Sequence, residues 1–244
     1  MKKAESNKGH SLKFFSAFII GYIIFVLTLD FLISMEVEIP LNFTVLRISI
    51  SDVFYKMGNV RYSAHFNCLS HFDILKFLTW FMIPLLLFQK RIDLKWLSIA
   101  KLGKPDLCIL MVFSAVCILS LGMIFILPSL RNYYSGLGAL PKEAKIIFFL
   151  QQVFWIISWL PGWELLNRHL LLKESEALYP DKGWLLVPAV ETLYHLSKPI
   201  PEAVGMFIFS ILATFYTKKR RNNIPAFMCH LAIEIGLITL LLIV

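Results

Sequence analysis

Apolar residues are gathered into long runs along the chain and do not alternate with polar ones. Seven runs cover residues 14–35, 72–88, 107–128, 146–172, 184–196, 202–217 and 224–244. Several approach the roughly 20 residues that a helix needs to cross a bilayer, and none has the two-residue period of a barrel strand. We therefore predict an all-α, polytopic transmembrane helical bundle of about seven to eight helices. The fifth run is short and contains Pro188, which predicts a tilted, kinked or partly re-entrant helix.

The chain begins like a secretory signal peptide, with Lys2 and Lys3 before the first apolar run. That run is too long for a signal core, and no small-x-small cleavage site follows it. We predict a retained first span. Two regions then share one integral membrane domain: residues 1–140 supply N-terminal transmembrane helices and an outer loop, and residues 141–244 form a C-terminal helical core. Weak alternation over residues 46–53 of the 36–71 segment predicts either a surface strand or a loop resting on the membrane.

Composition supports a bilayer environment, since 58% of the 244 residues are hydrophobic and only 16% are charged. The net charge of +8 lies in short basic runs between apolar segments, a distribution that indicates cytoplasmic loops and no nucleic-acid partner. With the N-terminus inside, the inner segments hold sixteen basic residues and the outer segments seven. We expect a multi-pass integral membrane protein with a cytoplasmic N-terminus. The four cysteines, Cys68, Cys108, Cys117 and Cys229, show neither disulfide nor zinc spacing, so we interpret them as small buried hydrophobes.

Acid and base residues stand four positions apart in three of the last four apolar runs. The pairs are Glu164 with Arg168, Glu191 with His195, and His230 with Glu234. Residues at this spacing share one face of a helix, and ionisable groups inside a span cost about 2.5–3.5 kcal/mol each on insertion scales. Taken singly, Glu164 and Arg168 can form a helix-end ion pair, His195 can cap its helix, and His230 can lie at the interface. Taken together, the three pairs predict one compact site.

This set of groups suits acid–base chemistry. A carboxylate with a histidine can take a proton from water, while a second histidine or a neutral acid donates to a developing oxyanion. No cofactor is required by this chemistry. The alternative is a divalent metal held by His195, His230 and Glu164. Asp30 and Lys76 also fall in apolar runs, but both are near enough to a run's end to reach the interface.

The order of these residues resembles the CPBP family (CAAX proteases and bacteriocin-processing enzymes, also called Abi), which are intramembrane endopeptidases of helical-bundle fold. The family pattern is Glu-Glu-x-x-x-Arg, then Phe-x-x-x-His, then His-x-x-x-Asn or Asp. Glu164, Arg168, His195 and His230 match it over roughly residues 145–240. Lys198-Pro199-x-x-Glu202 is similar to a bacterial subset of the family.

The chain departs from the family pattern at three positions. Trp163 replaces the first glutamate, Glu191 replaces the phenylalanine, and Glu234 replaces the final Asn or Asp. Either Glu164 or Glu191 can supply the missing carboxylate, and a protonated Glu234 can donate a hydrogen bond as Asn would.

The resemblance implies hydrolysis of a peptide bond in a membrane-associated peptide or lipidated protein, in a bacterial or archaeal cytoplasmic membrane. Water would be activated by Glu164 (or Glu191) with His195, the scissile carbonyl held by His230 and Glu234, and Glu164 oriented by Arg168. One alternative is a catalytically impaired relative that acts as a membrane interaction or immunity protein. Another is a proton-coupled transporter, since buried acids and histidines also form proton relays.

Overall fold

The computed structural model describes residues 2–34, 48–49, 71–97, 103–133 and 142–243 of the chain. These residues are almost entirely helical, which confirms the all-α prediction. Ile48–Ser49 pairs in antiparallel fashion with His71–Phe72, and each strand is only two residues long. Ile48–Ser49 falls in the 46–53 stretch, where a strand was one of two predictions. The remainder of the predicted outer loop, apart from His71, lies outside the described residues.

Eight α-helices occur in the described ranges. They are α1 (Lys2–Ser34), α2 (Ile74–Leu87), α3 (Lys104–Ile126), α4 (Pro128–Tyr133), α5 (142–178), α6 (Leu186–Tyr194), α7 (Ile200–Arg220) and α8 (Ile224–Ile243). Helix α5 begins as Lys142–Glu164, becomes a π-helix over Leu165–Leu171 and ends as Leu172–Leu178. A second π-helical stretch, Phe77–Met82, lies within α2. As the sequence predicts for the fifth run, α6 is short, and a 3-10 turn at His195–Ser197 follows it.

Three helices in the described residues are long and apolar enough to cross a membrane. The stretches concerned are Lys13–Leu32 of α1, Lys104–Ile126 and Ile200–Arg220, with shorter apolar stretches in α2 and α8. Helix α3 shows what surrounds them, because Ile118 is 71% exposed and Leu119 is 69% exposed. Large apolar side chains facing outward along a whole helix are typical of a membrane protein.

The interior is organised around α5. Helices α1, α2 and α8 pack against it, while α3 packs on α8 and α6 packs on α7. All seven residues of the π-helical stretch Leu165–Leu171 are buried. Close packing of α5 on α2 depends on Gly162, where an added Cβ would come within 2.7 Å of the Trp80 Cβ and 2.9 Å of its carbonyl carbon. A side chain at this position would therefore separate the two helices.

Asp30 and Lys76, which the sequence suggested could reach the interface, have each other as partners. They form an ion pair between α1 and α2, with 3.2 Å between Asp30 Oδ2 and Lys76 Nζ. The Tyr194 hydroxyl donates to the same Asp30 oxygen, and Lys76 Nζ lies 4.9 Å from the centre of the Trp80 ring. Each charge is stabilised by the other and by nearby polar and aromatic groups, and these contacts take the place of hydration.

A second set of ion pairs joins helix ends and connecting turns, and we call it the basic-end belt. It consists of Arg91 with Glu174, Arg220 with Asp106 (2.9 Å), Lys218 with Glu176 (3.0 Å) and Arg221 with Glu176 (3.3 Å). Ser16 of α1 also donates to Glu174, over 2.6 Å. The belt therefore joins α3, α5 and α7 through charged side chains, and α1 through the hydroxyl of Ser16.

Candidate functional site

Arg168 is the centre of a buried ionic cluster formed by α5 and α6. Its Nη1 donates to Glu164, one helical turn earlier, and its Nη2 donates to Oε2 of Glu191 over 2.8 Å. Arg168 and Glu191 are fully buried and Glu164 is 2% exposed. The guanidinium carbon also lies 5.0 Å from the centre of the Phe209 ring. A guanidinium suits this position because its planar fork can serve two carboxylates at once.

His230 extends the cluster from α8. Its Nδ1 lies 2.8 Å from Oε1 of Glu164, the oxygen that also accepts from Arg168. Because a carboxylate only accepts, Nδ1 carries the proton of this hydrogen bond. Nε2 points the other way and lies 3.8 Å from Oε1 of Glu234.

The tautomer of His195 is fixed by a backbone hydrogen bond. Its Nδ1 lies 2.8 Å from the backbone oxygen of Glu191, which can only accept, so Nδ1 carries a proton. In the neutral ring this leaves a lone pair on Nε2. The 3-10 turn that begins at His195 places the ring just beyond the end of α6.

An apolar cavity of about 570 Å³ brings the two histidines together. Its walls come from α3, α4, α7, α8 and the turn that follows α6. The polar residues that line it include His195, His230, Glu234, Lys198 and Glu202. Among the described residues, Glu164, Arg168 and Glu191 lie behind this wall and do not line the cavity. The ionic cluster therefore supports the cavity surface, and the two histidines and Glu234 are the site residues that face it. Lys198 and Glu202 form an ion pair of 2.6 Å at the same cavity.

Trp163 lies against both histidines. Its ring centre is 5.9 Å from that of His195 and 6.5 Å from that of His230, and the side chain is only 1% exposed. Trp80 and Tyr194 pack on the same indole, at 5.6 Å and 5.0 Å. An aromatic ring thus occupies the position where the CPBP pattern has its first glutamate.

The three predicted acid–base pairs differ in how they form. Glu164 and Arg168 make the predicted ion pair. Glu191 instead directs its carboxylate to Arg168, while His195 bonds only its backbone oxygen. His230 and Glu234 are 3.8 Å apart, and the closer partner of His230 is Glu164. The six residues lie in one region of the bundle. His195, His230 and Glu234 face the cavity, and the other three lie behind its wall.

The sequence analysis did not predict two neighbours of the site, Tyr194 and His169. Tyr194 contacts the rings of Trp163 and His195 and joins them to the Asp30–Lys76 pair through its hydroxyl. Because Asp30, Lys76 and Tyr194 are on different helices, no short sequence spacing indicates their contact. The one available signal was a single acid and a single base in two successive apolar runs. His169 is fully buried next to Arg168, and its Nε2 accepts from the Asp93 backbone N–H over 3.0 Å. Its partner is the backbone of a turn, and the site does not include it.

The metal alternative was built on His195, His230 and Glu164. In the described part of the chain, no three His, Cys, Asp or Glu residues are grouped so that they could hold a metal ion. The Glu164 oxygen that faces His230 is shared with Arg168, so a guanidinium stands where a cation would otherwise balance the carboxylate.

Compared with protein families, with curated proteins and with solved structures, the chain matches none of them significantly.

Proposed function

We propose that this chain is a multi-pass membrane protein that hydrolyses a peptide bond within the bilayer, as the CPBP-like order of its polar residues suggests. The observation that carries the proposal is the pair of histidines, His195 and His230, on one apolar cavity, with a buried Glu164–Arg168–Glu191 cluster behind them. Apolar walls with a few convergent polar groups are the usual form of a substrate site. The excess of basic residues in the inner segments supports a cytoplasmic N-terminus.

His195 is the proposed general base. The Glu191 backbone oxygen fixes the tautomer that leaves Nε2 free to accept a proton from water. A positioned base of this kind contributes about 10²–10⁴-fold to the rate. The deprotonated water then attacks the carbonyl carbon of the substrate peptide bond. As the C–N bond breaks, the protonated His195 returns its proton to the leaving amine.

His230 is the proposed donor to the developing oxyanion. In this role His230 carries a proton on both ring nitrogens, with Nδ1 donating to Glu164 over 2.8 Å and Nε2 donating toward the cavity. Glu164 thus acts through His230 and does not touch the water itself, which differs from the role that the sequence suggested for it. Arg168 holds Glu164 in place, and Glu191 balances Arg168. Glu234, beside Nε2, can accept from the amide N–H of the scissile bond.

The test is cleavage of a membrane-delivered peptide library by the purified protein in liposomes, with new peptide termini read by mass spectrometry. His195→Ala is expected to lower cleavage by about 10²–10⁴-fold, and His230→Ala by about 10²–10³-fold. Glu176→Gln is the matched control for Glu164→Gln, because it makes the same change on the same helix within the basic-end belt. Equal cleavage by wild type and His195→Ala would overturn the proposal.

The second candidate is a non-catalytic membrane interaction or immunity protein. Trp163 favours it, since the indole packs on both histidines and leaves no carboxylate at that position. This candidate predicts that Glu164→Gln and His195→Ala preserve the cellular phenotype of the gene. Gly162→Val, which would force α5 away from α2, is then expected to abolish that phenotype.

A further inference from the structure

Cys117 of α3 and Cys229 of α8 face each other through their sulfur atoms. The two Sγ atoms are 3.3 Å apart, and the residues are 112 positions apart in sequence. Their thiols also approach the opposite backbone: Cys117 Sγ lies 3.6 Å from the Cys229 carbonyl oxygen, and Cys229 Sγ lies 3.6 Å from the Phe113 carbonyl oxygen. Cysteines that act only as small apolar residues have no need to direct both sulfurs at one point.

The surrounding helix interface is close enough to support a bond between them. An added Cβ on Gly236 would come within 2.7 Å of Cδ1 of Leu121, which shows how tightly α8 lies on α3. A disulfide requires the sulfurs to approach to about 2.05 Å. The movement from 3.3 Å is small beside the freedom of two cysteine side chains. The spacing of cysteines in the sequence does not reveal this pairing.

We propose that Cys117 and Cys229 are a redox modification site, oxidised to a disulfide by a membrane-dissolved quinone. Both S–H bonds break and one S–S bond forms. The two electrons and two protons reduce the quinone to its hydroquinone. An apolar oxidant suits the site because Cys117 is 8% exposed and Cys229 is 4% exposed, on helices with outward-facing apolar surfaces.

Oxidation at this site reaches the cavity through the chain itself. Cys229 immediately precedes His230, and Val116 and Ser120, next to Cys117 on α3, line the cavity. The disulfide would tie the α3 wall of the cavity to the α8 wall. The proposal concerns the thiol pair alone and does not depend on peptide hydrolysis.

The test treats purified full-length protein in liposomes with decylubiquinone and then blocks the remaining thiols with N-ethylmaleimide. Unreduced protein is digested with a protease that cleaves after phenylalanine, since Phe113 separates Cys108 from Cys117. We expect a linked pair of peptides containing Cys117 and Cys229, one quinone consumed per linkage, and reversal by dithiothreitol. Cys108, an exposed free thiol on the same helix, is the internal control and is expected to remain alkylated.

Two variants keep the result specific. Cys68→Ser removes the remaining thiol and is expected to leave the linkage unchanged, whereas Cys117→Ser is expected to abolish both linkage and quinone consumption. Alkylation of Cys117 and Cys229 to the same extent as Cys108, after quinone treatment of the wild-type chain, would overturn the proposal. A linkage that involves Cys108 in place of Cys117 would overturn it as well.

Discussion

Arg168 and Glu191 lie on different helices and meet in a fully buried ion pair, with 2.8 Å between Nη2 and Oε2. The same guanidinium holds Glu164 through its other terminal nitrogen. Removing one member of such a group leaves the others charged and without a partner in a medium that solvates charge poorly. Arg168 therefore links the stability of the α5–α6 contact to the arrangement of the site.

Arg168→Met is expected to lower the free energy of unfolding by about 3–5 kcal/mol, because two carboxylates are left buried without their cation. The measurement is chemical unfolding of the detergent-solubilised protein. Arg131→Ala, at an exposed position of α4, is the control and is expected to change stability by about 0.5 kcal/mol or less. A small loss in Arg168→Met would mean that the carboxylates are already neutral.

Gly162→Ala is expected to destabilise the protein by about 1–3 kcal/mol, since the new methyl group would overlap Trp80. Gly122→Ala in α3 makes the same change where nothing lies within 4 Å of the added carbon. This control is expected to be neutral or to gain up to about 1 kcal/mol from helix propensity. Thermal unfolding of the two variants side by side tests whether α5 and α2 pack as closely as described. Similar midpoints would contradict that packing.

A double-mutant cycle tests the ion pair of Asp30 and Lys76. We expect Asp30→Asn and Lys76→Met each to destabilise the protein, and the double variant to recover part of the sum, with a coupling energy of about 1–3 kcal/mol. The comparison pair is Lys198 and Glu202, whose side chains are 31% and 19% exposed. Water reaches that pair, so its coupling is expected to fall below about 1 kcal/mol. Equal coupling in the two cycles would contradict the buried position of Asp30.

Trp163→Glu introduces the glutamate that the CPBP pattern has at this position, and we expect it to lower both stability and the proposed cleavage. The indole is 1% exposed and contacts Trp80, Tyr194 and both site histidines. Its loss leaves a cavity, and the new carboxylate would be buried next to Glu164, at a combined cost of about 3 kcal/mol or more. Trp163→Phe, which keeps an apolar ring, is the matched control. Faster cleavage by Trp163→Glu would show that this position still accepts a catalytic carboxylate.

The sequence predicted well what depends on local spacing. Apolar runs marked the helices, and the four-residue spacing identified the Glu164–Arg168 pair. Contacts between distant segments were not predictable in this way. The choice of Arg168 over His195 as the partner of Glu191 depends on how α6 packs against α5.

The π-helical stretches were likewise beyond sequence reasoning. Phe77–Met82 has the composition of an ordinary apolar helix, and Leu165–Leu171 differs from one only by its central Asn167-Arg168-His169. Neither composition indicates a wider helical turn. Asp30 and Lys76 show the same limitation for charge. Each was judged by its distance from the end of its own run, whereas the decisive quantity was their distance from each other.

The π-helical stretch Leu165–Leu171 also sets an angular relationship along α5. Glu164 and Arg168 must face the site, and Glu174, a few residues later, must face Arg91 in the basic-end belt. An α-helix turns the chain by roughly 100° per residue, and a π-helix, with its i→i+5 hydrogen bonds, turns it by less. The same seven residues in α-helical form would therefore rotate one of these groups away from its partners. The wider turn thus acts as a phase adjustment that lets one continuous helix present acids in two required directions.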